Sequence, residues 1–126
     1  MSKFDAKALG FKKPIELNVT NKVVEEITEA NLAIAKSYDM VDKTDEQIMK
    51  EVLEANKAQE NLLKNVVGLS DKEFKRIHDE VESFNLEMWI KEFTTAVFMV
   101  RNYGMTPLEV NEMETKEESK SHHTGK

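Results

Sequence analysis

The run from Asn85 to Tyr103, NLEMWIKEFTTAVFMVRNY, constrains the fold more than any other stretch of the chain. It holds the only Trp, two of the six Phe, two of the seven Met and one of the two Tyr, and Gly104 closes it. Leu86, Trp89, Ile90, Phe93, Ala96, Val97, Val100 and Tyr103 recur at helical spacing and form a wide apolar stripe. Met88, Phe98 and Met99 carry apolar surface further round the cylinder. A helix apolar over so much of its circumference has to be covered on more than one side. It reads as the central core helix of a small globular protein; the alternative is that part of its surface is kept for a partner.

The segments before it supply elements to pack on it. Lys3 to Leu9 and Ile15 to Thr20, with Gly10 between them, read as two short extended pieces around a turn, a hairpin over about residues 3–20. Ile15, Leu17 and Val19 alternate with Glu16, Asn18 and Thr20, and Pro14 suits the first residue of a strand. A two-stranded ribbon is marginal in water, so it must lie against the helices or pair with the edge of another chain. Helical periodicity begins at Asn21, which suits an N-cap with Thr20 as the alternative, and places Val23, Val24, Ile27, Ala30, Ile34 and Tyr38 on one face. Thr44 with Gln47 three residues on is a capping box for a second helix. Its stripe is Ile48, Val52, Ala55, Leu62, Leu63, Val66 and Val67, interrupted by Gln59, and it runs to Gly68, about 35 Å in all. Ser70 with Glu73 opens a shorter helix with Phe74, Ile77, Val81 and Phe84 on its face, and a break is expected near Ser83 to Asn85. After Gly104, Thr106 and Pro107 start a last short helix carrying Leu108, Val110 and Met113. The fold class predicted is mainly α: four to five helices with a short N-terminal β-hairpin, one domain over residues 1–114, and a polar disordered tail over 115–126.

Composition excludes more functions than it suggests. A chain of 126 residues can bury one core without staples. The longest uncharged run of the apolar helix, Phe93 to Val100, is too short to span a bilayer, and MSKFDAKALGFKK lacks the apolar centre of a signal peptide, so a cytoplasmic site is expected. No Cys is present, which removes thiolate ligands and cysteine nucleophiles. Four scattered glycines cannot build a phosphate loop, and Asp39, Asp42 and Asp45 lack the alternate spacing and glycine of a calcium loop. His78 lies on a charged helix, while His122 and His123 fall in the tail. The carboxylates, Glu25 with Glu29 or Glu80 with Glu87, look like solvated helix faces rather than acid/base pairs. The first 13 residues carry +3, four Lys against Asp5, which leaves −9 on the remainder of a chain whose net charge is −6. Such a body repels nucleic acid, and acidic neighbours of Lys72, Lys75 and Arg76 speak against a helix-turn-helix over Ser70 to Gly104. The expectation is a non-enzymatic protein without cofactor, metal, nucleic-acid, membrane or small-molecule partner. The seven Met, flexible thioethers, suit a surface that repacks around a protein.

The strand GFKKPIELNVTN, the acidic helices and the ending WIKEFTTAVFMVRNYGMTPLEVNEM together resemble the tail assembly chaperones of long-tailed bacteriophages and prophages of Gram-positive bacteria, over most of residues 9–113. The resemblance implies a non-enzymatic protein of the host cytoplasm that coats the tape measure protein and shields its hydrophobic stretches. It also implies recruitment of tail tube protein, absence from the finished virion, and a longer frameshifted product to which the tail from Thr115 would be a linker. On this chain the client-facing surface is expected to include Trp89, Phe93, Phe98, Met99, Tyr103 and Met105, with homo-oligomerisation through Ile15, Leu17 and Val19. The rival reading is a small acidic helical regulator or inhibitor that binds one protein.

Overall fold

The computed structural model of the chain describes residues 2–104. Two strands, β1 (Ser2–Phe4) and β2 (Ile15–Leu17), pair antiparallel with Phe4 opposite Ile15. Four α-helices follow: α1 (Asn21–Tyr38), α2 (Asp45–Leu62), α3 (Asp71–Glu80) and α4 (Ser83–Tyr103), with a π-helical turn, Leu63–Val67, prolonging α2. This is the mainly α fold with an N-terminal hairpin that the sequence predicts. The short helix expected after Thr106 and the tail 115–126 lie outside the described residues.

Local chemistry sets most of the boundaries. Thr20, not Asn21, caps α1: its backbone is extended and its Oγ1 accepts the Val23 N–H at 3.3 Å, while Asn21 is already helical. Thr44 caps α2 in the same way through the Gln47 N–H. Ser70 and Glu73 form a reciprocal capping box, and the Ser70 N–H, with its hydroxyl, holds the Glu73 carboxyl below its ordinary range. The break before the apolar helix falls at Val81, which is extended, and Glu82, which is also non-helical, so α4 begins at Ser83. That resets the helical phase. Phe84, expected on the apolar face of α3, sits instead in the first turn of α4 and is 67% exposed.

The buried apolar residues other than Ala55 form one cluster around α4, where Ile90, Phe93, Ala96 and Val97 meet Ile27, Ala30, Leu62, Leu63 and Ile77. The N-terminal segment closes the side of α4 that the other helices leave open. The Phe4 ring stands edge-on to Trp89 at 5.6 Å and to Phe93 at 5.2 Å, and Trp89 stacks on Phe93 at 5.0 Å. The Trp89 Nε1–H donates to the Asp5 carbonyl at 2.9 Å, which satisfies the one polar atom of a buried indole. Arg76 of α3 clamps the turn that follows, donating to the Leu9 carbonyl at 2.8 Å with its guanidinium 5.5 Å from the centre of the Phe11 ring.

Gly10, next to Leu9, has φ +87°, and a Cβ there would meet the Arg76 guanidinium at 2.9 Å. Forcing an L-residue into left-handed backbone costs about 1–2 kcal/mol, and the displaced clamp adds to it. Gly10→Ala is therefore expected to lower stability by about 2 kcal/mol, read as a lower urea midpoint at unchanged slope.

α1 and α2 form an antiparallel hairpin, with Glu26 near Asn65 at one end and Lys36 near Glu51 at the other. Its distal half extends past the apolar core. No residue of α1 beyond Ala30 is fully buried, and before Ala55 the only buried residue of α2 is Glu51. A polar cluster holds this half. The Lys43 ammonium donates to Glu51 Oε2 at 2.6 Å and to the Lys36 carbonyl in the last turn of α1 at 3.1 Å, and the Lys36 ammonium stands 4.0 Å from Glu51 Oε1.

Candidate functional site

Among the described residues, ten large apolar side chains are exposed, and their distribution is uneven. Seven of them, Leu32, Tyr38, Met40, Val41, Met49, Val52 and Leu53, stand on the distal half of the α1–α2 hairpin and its connecting turn. Two more, Phe84 and Met88, stand on the first turns of α4. The Tyr38 hydroxyl donates to Glu87 Oε1 at 2.7 Å and Asn31 Nδ2–H donates to Thr94 at 2.7 Å, so α1 and α4 run antiparallel. The end of α1, the start of α2 and the start of α4 therefore meet at one end of the molecule. On α2, Met49, Val52 and Leu53 make a solvent-facing stripe, while Ile48, Glu51 and Ala55 turn inward.

Between α1 and α4 at this end lies an open groove of about 310 Å³. Ile34 and Ala35 of α1 and Phe84 and Met88 of α4 supply apolar lining, with Asn31, Tyr38, Glu87 and Lys91 as its polar groups. Glu87 Oε1 accepts from both Tyr38 and Ser83, and its hydrogen bond keeps the Tyr38 phenol protonated to higher pH than usual. The volume is at the low end for a small-molecule site. Its lining spans residues 31–38 of one helix and 84–91 of the other, about two turns of each. Such a trough accepts side chains from another polypeptide more readily than it encloses a compact ligand.

The surface expected from sequence lies elsewhere and is only partly available. Trp89 (3% exposed) and Phe93 (0%) are sealed beneath Phe4, so neither can meet a partner on the folded chain. Phe98 packs half-buried against the core, and Met99 is half-buried too. Tyr103 is exposed but stands at the opposite end of α4, and Met105 lies outside the described residues. Of the residues expected in self-association, Ile15 and Val19 pack half-buried against the core, while Leu17 pairs through its backbone with Ser2. A second groove, about 330 Å³, runs beside β2 between Pro14 and Ile15 on one side and Val67 to Leu69 on the other.

Among the described residues no group of three or more His, Asp or Glu is placed to hold a metal ion, and no helix is long and apolar enough to cross a membrane. No known protein family, curated protein or solved structure matches the chain. The role of the apolar end therefore rests on its own geometry. Its residues left a trace in the sequence: Leu32, Met49 and Leu53 are large apolar side chains out of phase with the stripes assigned to their helices.

Proposed function

We propose that this chain is a non-enzymatic assembly chaperone that binds apolar stretches of a long helical client through the exposed end of the α1–α2 hairpin and α4. The observation that carries the reading is the gathering of Tyr38, Met40, Val41, Met49, Leu53, Phe84 and Met88 on a part of the molecule beyond its own core. Large apolar patches left to water are characteristic of surfaces that meet a partner. Three of these side chains are Met, whose flexible thioethers conform to varied apolar segments. The net charge of −6 keeps a protein with such a patch from self-association. The resemblance to phage tail assembly chaperones supports the tape measure protein as the client, shielded until the tail tube assembles around it.

Co-expression with a tape measure protein tests this. The wild-type chain is expected to keep that protein soluble and to co-purify with it. Leu53→Asp combined with Phe84→Asp alters two exposed positions and should change folding stability by less than about 1 kcal/mol, yet remove the client from the purified complex. A wild-type chain that never retains the tape measure protein overturns the chaperone reading. A double variant that retains it undiminished moves the client surface away from this end.

A further inference from the structure

Resting on that reading, we infer that the groove between α1 and α4 takes a basic amphipathic helix of the client: apolar anchors in the trough, Lys or Arg along its flank. The shape argues for a helix. Two antiparallel helices with about two turns of lining present a trough matched to side chains at i, i+3 or i+4 and i+7 of a third helix laid along them. Phe84 and Met88 on one wall and Tyr38 on the other are exposed and give those anchors apolar surface to bury.

The charge argues for a cationic flank. Asp39 follows α1 directly, Glu82 precedes α4 directly, and Glu87 lines the groove; among the described residues none of the three is in a salt bridge. Among the described residues the only cation in the lining is Lys91, at the far end. The C-terminus of α1 and the N-terminus of α4 meet at the near end, so their helix dipoles oppose each other and the carboxylates set the sign of the field. A second copy of this chain fits poorly, because beyond its first 13 residues it carries −9 and would bring further carboxylates to an acidic rim. A partner helix with Lys or Arg beside its apolar stripe satisfies both the trough and the rim.

The test uses the full chain and labelled synthetic peptides, read by fluorescence anisotropy. A leucine–lysine peptide with Leu at i, i+3, i+4 and i+7 is expected to bind at least about tenfold more tightly than a leucine–glutamate peptide of the same pattern, with affinity falling as salt rises. Phe84→Asp should weaken binding of the leucine–lysine peptide at least about tenfold, although it adds a negative charge that pure electrostatic attraction would reward. Leu53→Asp, on the outer face of α2, should leave it within about twofold. Asp39→Lys with Glu82→Lys leaves every apolar group in place and should reduce or reverse the preference between the two peptides, which keeps the test decisive if Phe84→Asp disturbs folding. Equal affinity for the two peptides overturns the inference. So does equal affinity for a shuffled leucine–lysine sequence without an apolar face, or a loss caused by Leu53→Asp instead of Phe84→Asp. A tape measure protein held by a chain that ignores the leucine–lysine peptide would leave the chaperone reading standing and remove the groove. Tight peptide binding by a chain that fails to hold the tape measure protein would do the reverse.

Discussion

Phe93→Ala is expected to lower the free energy of unfolding by about 3–5 kcal/mol, the range for emptying a fully buried aromatic position. Phe93 has no exposed surface and is held between the Trp89 ring stacked on it at 5.0 Å and the Phe4 ring edge-on at 5.2 Å. The two neighbours come from elements that cannot both move into the space. Trp89 is tied by its Nε1–H to the Asp5 carbonyl, and Phe4 belongs to β1, which is paired to β2. The cavity should therefore stay largely open. For a domain whose total stability is of the order of 5–15 kcal/mol, the loss is about a fifth of the whole or more. Urea denaturation followed by the fluorescence of the single Trp reports it directly, because Trp89 lies against the altered site. A shift below about 1 kcal/mol would mean that the N-terminal segment does not seal α4 in solution, and the exposed face expected from sequence would then be real.

The same three rings explain how far the sequence could be read. Periodicity locates α4 and its apolar stripe, capping chemistry places Thr44 and Ser70, and the alternation that starts at Ile15 places β2, although the strand stops at Leu17 short of Val19, because each is a local signal written within a few residues. What covers α4 is not local. Phe4 and Trp89 are far apart in the chain and nothing near either announces the pairing, so the surplus of aromatic surface on α4 looked like an interface when the N-terminal segment already covers it. Phe84 leaves the expected face of α3 for a different reason: two non-helical residues, Val81 and Glu82, restart the helix in a new phase with neither Gly nor Pro to mark the stop. The polar interruptions were informative in a way that binary patterning hides. Gln59 is buried, as is Glu51, while Val52 on the expected stripe is substantially exposed. At the distal end of the hairpin a charged pair, Glu51 with Lys43, lies inside next to Ile48 and Ala55 while Met49, Val52 and Leu53 face water, so the rule for a helix packed on a core is partly inverted there, and that inversion is the candidate site.

Glu51 holds that inverted end together, and removing either member of its ion pair is expected to cost about 3 kcal/mol locally. The Glu51 and Lys43 side chains are 5% and 13% exposed, so each charge is largely withdrawn from water and depends on the other. The two deletions should not be equivalent. In Glu51→Ala, Lys43 keeps the Lys36 carbonyl and has a long stem on which to swing to solvent, and Ala favours the helix. In Lys43→Ala, Glu51 is fixed on α2 with only the Lys36 ammonium, 4.0 Å away on a mostly exposed side chain, so this variant should be the less stable of the two. Lys43→Met with Glu51→Leu replaces the pair by apolar groups of similar size and should lie within about 1 kcal/mol of wild type, giving a large coupling energy in a double-mutant cycle. Because the cluster lies beyond the core, its loss should open the end of the hairpin without unfolding the rest. Amide hydrogen exchange is then expected to accelerate over residues 31–38 and 45–54 in Lys43→Ala while amides around Ile27, Phe93 and Val97 keep their protection. Uniform acceleration across both regions would mean that the hairpin end and the core unfold as one unit. Selective acceleration would make the ion pair the element that holds Met49, Val52 and Leu53 in a fixed array, and client binding should weaken in Lys43→Ala although none of those three side chains has been changed.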